Sequence, residues 1–241
     1  MCEICDQNES RLSRRHLLGF AGLAMAGFAA SGTFLTAPSP AQAAPNAIKP
    51  EAALKLLRDG NARYVADAPE NKDFSAGRAA RAQAQYPIAA IVGCADSRVA
   101  PELLFDQPPG ELFVTRVAGN FVNDDGLASL EYGVKFLGIP LIMVLGHSGC
   151  GAVAATIKVV QDDITLPGHL PGLVESLRPA ITAAIAKNPA DLLIEATAEN
   201  VRQNVAHLKN ANPIISEYVG DGRVNVVGGV YDIATGSVNL V

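Results

Sequence analysis

The sequence predicts an α/β domain: a mixed, mostly parallel sheet of four to five strands flanked by helices, entered through an N-terminal helical arm. Three observations point there. Residues 87–93 and 140–146 are short, nearly continuous apolar runs, as parallel strands buried on both faces are. Segments with helical periodicity alternate with such runs. The chain has 241 residues, 49% of them hydrophobic, which suits one compact domain with one core.

The first 43 residues stand apart from that domain. Ser13-Arg14-Arg15-His16-Leu17-Leu18 is a twin-arginine pattern. An apolar run rich in Gly and Ala follows, broken by Pro38 and Pro40. Ala41-Gln42-Ala43 then has the small-x-small grammar of a signal-peptidase site. Glycines at 19, 22 and 27 make the run weakly hydrophobic for a spanning helix. The expectation is a cleaved export signal over 1–43 and a catalytic domain over 44–241. The product is expected to be periplasmic or secreted, touching the membrane only transiently during export. Cys2 and Cys5 fall in the discarded part, so the mature chain keeps Cys94 and Cys150. An exported protein with two cysteines would ordinarily form a disulfide. The competing expectation is that both are metal thiolates, loaded before export of the folded chain.

Along the domain, 49–66 reads as an amphipathic helix, with Pro50 near its start. Residues 67–73 form a polar linker. Residues 75–85 read as a helix with Ser75 as N-cap. Strands are expected at 87–93 and 111–117, a helix at 126–137 stopped near Gly138, and a third strand at 140–146. Helices follow at 151–160, 173–187 and 191–209, with a loop at 161–171. Residues 224–232 and 237–241 read as two antiparallel strands joined at Thr235-Gly236. The net charge is −5 and no basic stretch interleaves with aromatics, which argues against nucleic acid as a partner.

The chemistry sits after two of these strands. Cys94-Ala95-Asp96-Ser97-Arg98 follows the first and His147-Ser148-Gly149-Cys150-Gly151 follows the third. Ligands collect at the carboxyl ends of strands in open α/β sheets. Two thiols and an imidazole are a zinc donor set, and three protein donors leave a fourth position for water. Cys150 also opens a helix, whose dipole favours a thiolate. The spacing alone leaves a second reading open, a core histidine beside two buried thiols. Asp96 and Arg98 read either as a surface ion pair or as a carboxylate held ionised beside a metal. Such a carboxylate could also swing in as a fourth ligand and close the site.

Cys94-x-Asp96-x-Arg98 followed by His147-x-x-Cys150-Gly151 resembles the β-class carbonic anhydrases. Gly60-Asn61-x-Arg63-Tyr64, Gly110-Glu111-Leu112-Phe113, Arg116-x-Ala118-Gly119-Asn120 and Ser129-x-Glu131-Tyr132 extend the resemblance over roughly 48–241. It implies that Cys94, His147 and Cys150 ligate Zn2+, joined by Asp96 in a closed state only. Asp96 and Arg98 would be the catalytic dyad. Gln85 would line the substrate pocket from across a homodimer interface, and Gly151 would present its N–H near the metal. The implied reaction is CO2 + H2O ⇌ HCO3⁻ + H⁺ by attack of zinc-bound hydroxide, with His169 and His207 as candidate proton shuttles. Ile91 stands where an allosteric subset of that family carries a tryptophan. The resemblance therefore implies no bicarbonate inhibition by that route. Two rival functions share these residues: hydrolysis of carbonyl sulfide or carbon disulfide, and noncatalytic zinc binding.

Overall fold

The computed structural model describes residues 48–70, 73–75 and 77–241. The expected export signal, with Cys2, Cys5, Arg14 and Arg15, lies outside the described residues. Five strands form one sheet: β1 (Ala89–Cys94), β2 (Leu112–Val117), β3 (Leu141–His147), β4 (Asn225–Tyr231) and β5 (Val238–Leu240). Their order is β2-β1-β3-β4-β5. Neighbours run parallel, save β5, which returns antiparallel to β4.

The helices are α1 (Pro50–Val65), α2 (Arg78–Arg81), α3 (Pro101–Leu104), α4 (Asp124–Leu137), α5 (Gly151–Asp162), α6 (Leu170–Ala186), α7 (Leu192–Lys209) and α8 (Ile214–Gly220). One face of the sheet packs Ala90, Val92, Ile142 and Val144 against Leu130 and Val134 of α4, Val201 of α7 and Ile215 of α8. The other packs Ile91, Leu141, Met143 and Leu145 against Ala53 and Leu57 of α1 and Leu104 of α3. The N-terminal helical arm is thus α1, laid on the domain's own sheet. The segment resembling the family's first helix does the anchoring. Asn61 donates to the carbonyls of Leu104 and Gly236 and accepts from the Val238 N–H, and Arg63 pairs with buried Asp106.

Helix α7 sits unusually close to the sheet. A Cβ on Gly146 or Gly228 would stand 2.7 or 2.6 Å from Val201. Only bare backbone on β3 and β4 lets the helix reach this depth.

Several expectations need correction. The helix over 75–85 is only the single turn α2, and its N-cap is Gly77 in the left-handed region. The Ser75 hydroxyl instead donates to Asp73 Oδ1 at 2.6 Å, closing a local turn that competes with helix initiation. Helix α4 starts two residues early because Asn123 Oδ1 caps it, accepting from Gly126 N–H at 2.9 Å. Helix α6 absorbs Pro171 into its first turn, where a missing N–H costs nothing. The short helices α3 and α8 were not expected.

Candidate metal centre and its carboxylate–guanidinium pair

The chain leaves β1 for β2 on one side and returns to β3 on the other. That reversal makes the carboxyl ends of β1 and β3 the topological switch point, where ligands collect in open α/β sheets. Cys94 is the last residue of β1 and His147 the last of β3. Cys150 is the N-cap of α5. All three are buried, and their donor atoms lie within 4.8 Å of one another. No disulfide joins the cysteines.

The donor set fits a zinc ion. His147 Nδ1 bonds the Ser148 carbonyl at 3.0 Å, so Nε2 keeps its lone pair, and Nε2 is buried without a hydrogen-bond partner. An orphaned ring nitrogen beside two sulfurs is what a metal satisfies. The sulfurs divide their proton unequally. The Cys150 thiol beside it, followed by His147 and the amides of Gly119 and Asp96, brings Cys94 down to about 3 against the cost of burial. Cys150 is pushed up, first by the Cys94 thiolate and then by burial, although the amides of Val153 and Ala152 favour its ionisation. Burial, the largest single influence, opposes charge on His147, yet Cys94, the Ser148 backbone and Asp96 together raise the group. Two thiolates this close need a cation between them, and a dication supplies it.

Asp96 sits in the turn after β1. Arg98 binds it three times: its N–H to Oδ1 at 3.0 Å, Nε to Oδ1 at 2.9 Å and Nη2 to Oδ2 at 2.7 Å. Arg98 first, then its backbone amide, hold the carboxyl well below the usual range despite some burial. Asp96 Oδ2 is 3.9 Å from His147 Nε2. A carboxylate oxygen whose charge is favoured therefore stands at the rim of the three donors while the guanidinium holds it. This is the open arrangement of the pair.

Two residues shape the site in roles that the sequence does not indicate. Arg116 on β2 donates from Nε to the Cys94 carbonyl at 2.8 Å and from Nη2 to the Asp96 carbonyl at 2.6 Å, stapling the turn. Gly119 donates its N–H to Cys94 Sγ at 3.2 Å. A glycine after a strand-end Arg-x-Ala was the available signal, but backbone donors carry no residue signature.

The other expected residues fall as follows. Gly151 is the first residue of α5, exposed beside Cys150, where helix N–H groups lack intrahelical partners. Gln85 is exposed ahead of the amino end of β1. About 17 Å of strand separates Ala89 from Cys94, so Gln85 does not join the site of its own chain. His169 is the N-cap of α6 and His207 lies in the last turn of α7. Neither bonds a site residue among the described residues.

The described sheet and site define a class: an α/β protein with three buried donors, able to hold a metal, at its switch point. The carbonic anhydrase family model matches residues 89–238. The carbonic anhydrase of Mycolicibacterium smegmatis is 41% identical over 192 residues, covering 79% of this chain and 93% of that protein. Carbonic anhydrase 2 of Mycobacterium tuberculosis is 39% identical, covering 79% and 92%. The Coccomyxa β-carbonic anhydrase, solved with acetazolamide, superposes with a TM-score of 0.62 at 30% identity over 78% of this chain and 86% of its own. A tetrameric β-carbonic anhydrase of Sordaria macrospora gives 0.63 at 25% identity over 78% and 95%. The chain belongs to the carbonic anhydrase family, in its β class.

Proposed function

We propose that this chain catalyses the reversible hydration of CO2 to bicarbonate and a proton with zinc held by Cys94, His147 and Cys150. The observation that carries the reading is the Asp96–Arg98 pair fixed at the rim of three buried donors. Zinc there supplies the Lewis acidity that turns water into a nucleophile near neutral pH.

The chain's own residues do the rest. Arg98 keeps Asp96 ionised and turned from the donors. Asp96 Oδ2 can then only accept a hydrogen bond, so it selects and orients a proton-bearing nucleophile and leaves the nucleophile's remaining lone pair for carbon. Released by the arginine, the same carboxylate, 3.9 Å from His147 Nε2, would be the residue to serve as a fourth ligand and shut the site. Gly151 is the exposed first residue of α5 beside Cys150, and a backbone N–H at a helix start suits an oxygen of the anionic product. The second proton leaves to solvent.

The domain is proposed to act as a homodimer in which Gln85 reaches the partner's pocket. Support comes from the half-exposed edge strand β2 and the exposed aromatic side chains of Tyr86, Tyr132 and Phe136. Export through the twin-arginine route, with cleavage after Ala43, rests on the leader grammar. N-terminal sequencing of the exported form tests it; an N-terminus at Met1 overturns the cleavage.

The functional test is stopped-flow CO2 hydration alongside metal analysis. The expected result is one zinc per chain and activity that chelation removes and zinc restores. Release of sulfide from carbonyl sulfide, with no CO2 hydration, would replace the substrate assignment.

A further inference from the structure

Helix α7 turns two asparagines, one turn apart, toward the loop after β2. Asn200 is 1% exposed, and its Nδ2 donates to the Gly119 carbonyl at 2.8 Å. Asn204 sets which way that amide faces. Its Nδ2 donates to the Asn200 carbonyl at 2.8 Å and to Asn200 Oδ1 at 3.1 Å. With Oδ1 so engaged, Nδ2 of Asn200 must point at Gly119. Asn204 Oδ1 accepts from the Val122 N–H at 2.8 Å, so the loop is tied at two points.

Gly119 is the residue whose N–H meets Cys94 Sγ at 3.2 Å. Its φ is +85°, and a Cβ there would stand 2.8 Å from Leu177 Cδ1 and 3.4 Å from Ala152 Cβ. Only glycine fits, and glycine has no side chain with which to hold its own orientation. The N–H and the carbonyl belong to the two peptide planes on either side of the Gly119 Cα, so a hold on the carbonyl by Asn200 restricts the φ and ψ through which the N–H could turn away.

We infer that Asn200 is a positioning residue of the metal centre: by clamping the Gly119 carbonyl it restrains the φ and ψ of that glycine, keeps its N–H on Cys94 Sγ and so influences how much negative charge that sulfur gives to the metal. Two thiolates and a neutral imidazole cancel the charge of a dication. In such a site a hydrogen bond onto sulfur draws electron density from the metal and preserves its Lewis acidity. Asn204 acts one step further out, through Asn200. Because it concerns the donor Cys94, this role rests on the zinc reading above.

The test uses the full chain loaded with Co2+, whose thiolate-to-metal absorption reports on the sulfur, and zinc affinity by chelator competition. Asn200→Ala is expected to shift the absorption band and weaken zinc binding by about 10–100-fold. Asn204→Ala should act in the same direction and less. Thr197→Val is the control. It sits equally deep in α7, and its hydroxyl bonds only the Leu193 carbonyl of its own helix. It should leave band and affinity unchanged whatever it does to Tm. If Asn200→Ala does not fold, Asn204→Ala decides. An unmoved band and affinity in the asparagine variants, or an equal change in Thr197→Val, overturns the role. Wild type that takes up no Co2+ would overturn the zinc reading instead.

Discussion

Two of the tight groups of opposite charges among the described residues are built differently. On the helical side, Lys187 bonds Glu195 and Glu199 at 2.7 Å each, and Arg202 bonds the same two at 2.6 and 3.1 Å. At the sheet's carboxyl edge, Asp96 and Arg98 make a pair of similar closeness. The first group joins side chains across α6 and α7, each free to change rotamer. The second is tied to backbone: the Arg98 N–H binds Asp96 Oδ1, and Arg116 fixes the Asp96 carbonyl. Short ionic contacts are therefore no guide to function. What separates the two is place, since only Asp96 stands 3.9 Å from a nitrogen with no other partner.

The largest effect should come from the donors beneath the pair. Cys150→Ser removes a thiolate from the set and should abolish nearly all zinc binding and hydration; metal content per chain checks it. Full zinc occupancy in that variant breaks the site assignment. Asp96→Asn comes next. The amide can donate as well as accept, so it no longer selects a proton-bearing partner. A loss of about 10²-fold or more in kcat/KM is expected, on the scale of general acid–base groups, with zinc retained.

The helical group should respond in stability alone. Lys187→Met should lower Tm only slightly, as the loss of an exposed pair does, and leave hydration unchanged; thermal unfolding and stopped flow together check it. Its acid response carries a sign. Lys187 first, with Gln203 and Arg202, brings Glu199 from 4.5 down to about 2. The folded state binds this proton less readily than the unfolded state. The contribution is thus complete above pH 4.5 and lost as pH falls toward 2. Tm of wild type should fall through that window more steeply than Tm of Lys187→Met. Parallel curves would show the group to be inert.

The same contrast explains what could be read from the amino-acid order. Cys94, His147 and Cys150 were legible because each follows an apolar run that fixes a strand end, and donor chemistry is written in side chains. Asp96 and Arg98 were legible through their adjacency to Cys94. The sheet was legible through the runs at 87–93 and 140–146. Gly119 was not, because it acts through its backbone N–H. Asn200 was not, because its contact spans 81 positions and an asparagine in mid-helix has no periodic signature. Helices α3 and α8, four and seven residues long, are too short for a period to show. Ser75 misled because a hydroxyl that can cap a helix can equally close a turn onto Asp73.

If the pair on the rim, and not the metal donors alone, makes this a catalyst, Arg98→Ala is the variant that exposes it. Arg98 is half-exposed and touches no donor, so the variant should fold and keep one zinc per chain. Freed of its partner, Asp96 should turn to the metal and hold hydration far below wild type across the pH range in stopped flow. Wild-type rates in a zinc-loaded Arg98→Ala protein would contradict the account and leave Asp96–Arg98 as one more surface ion pair.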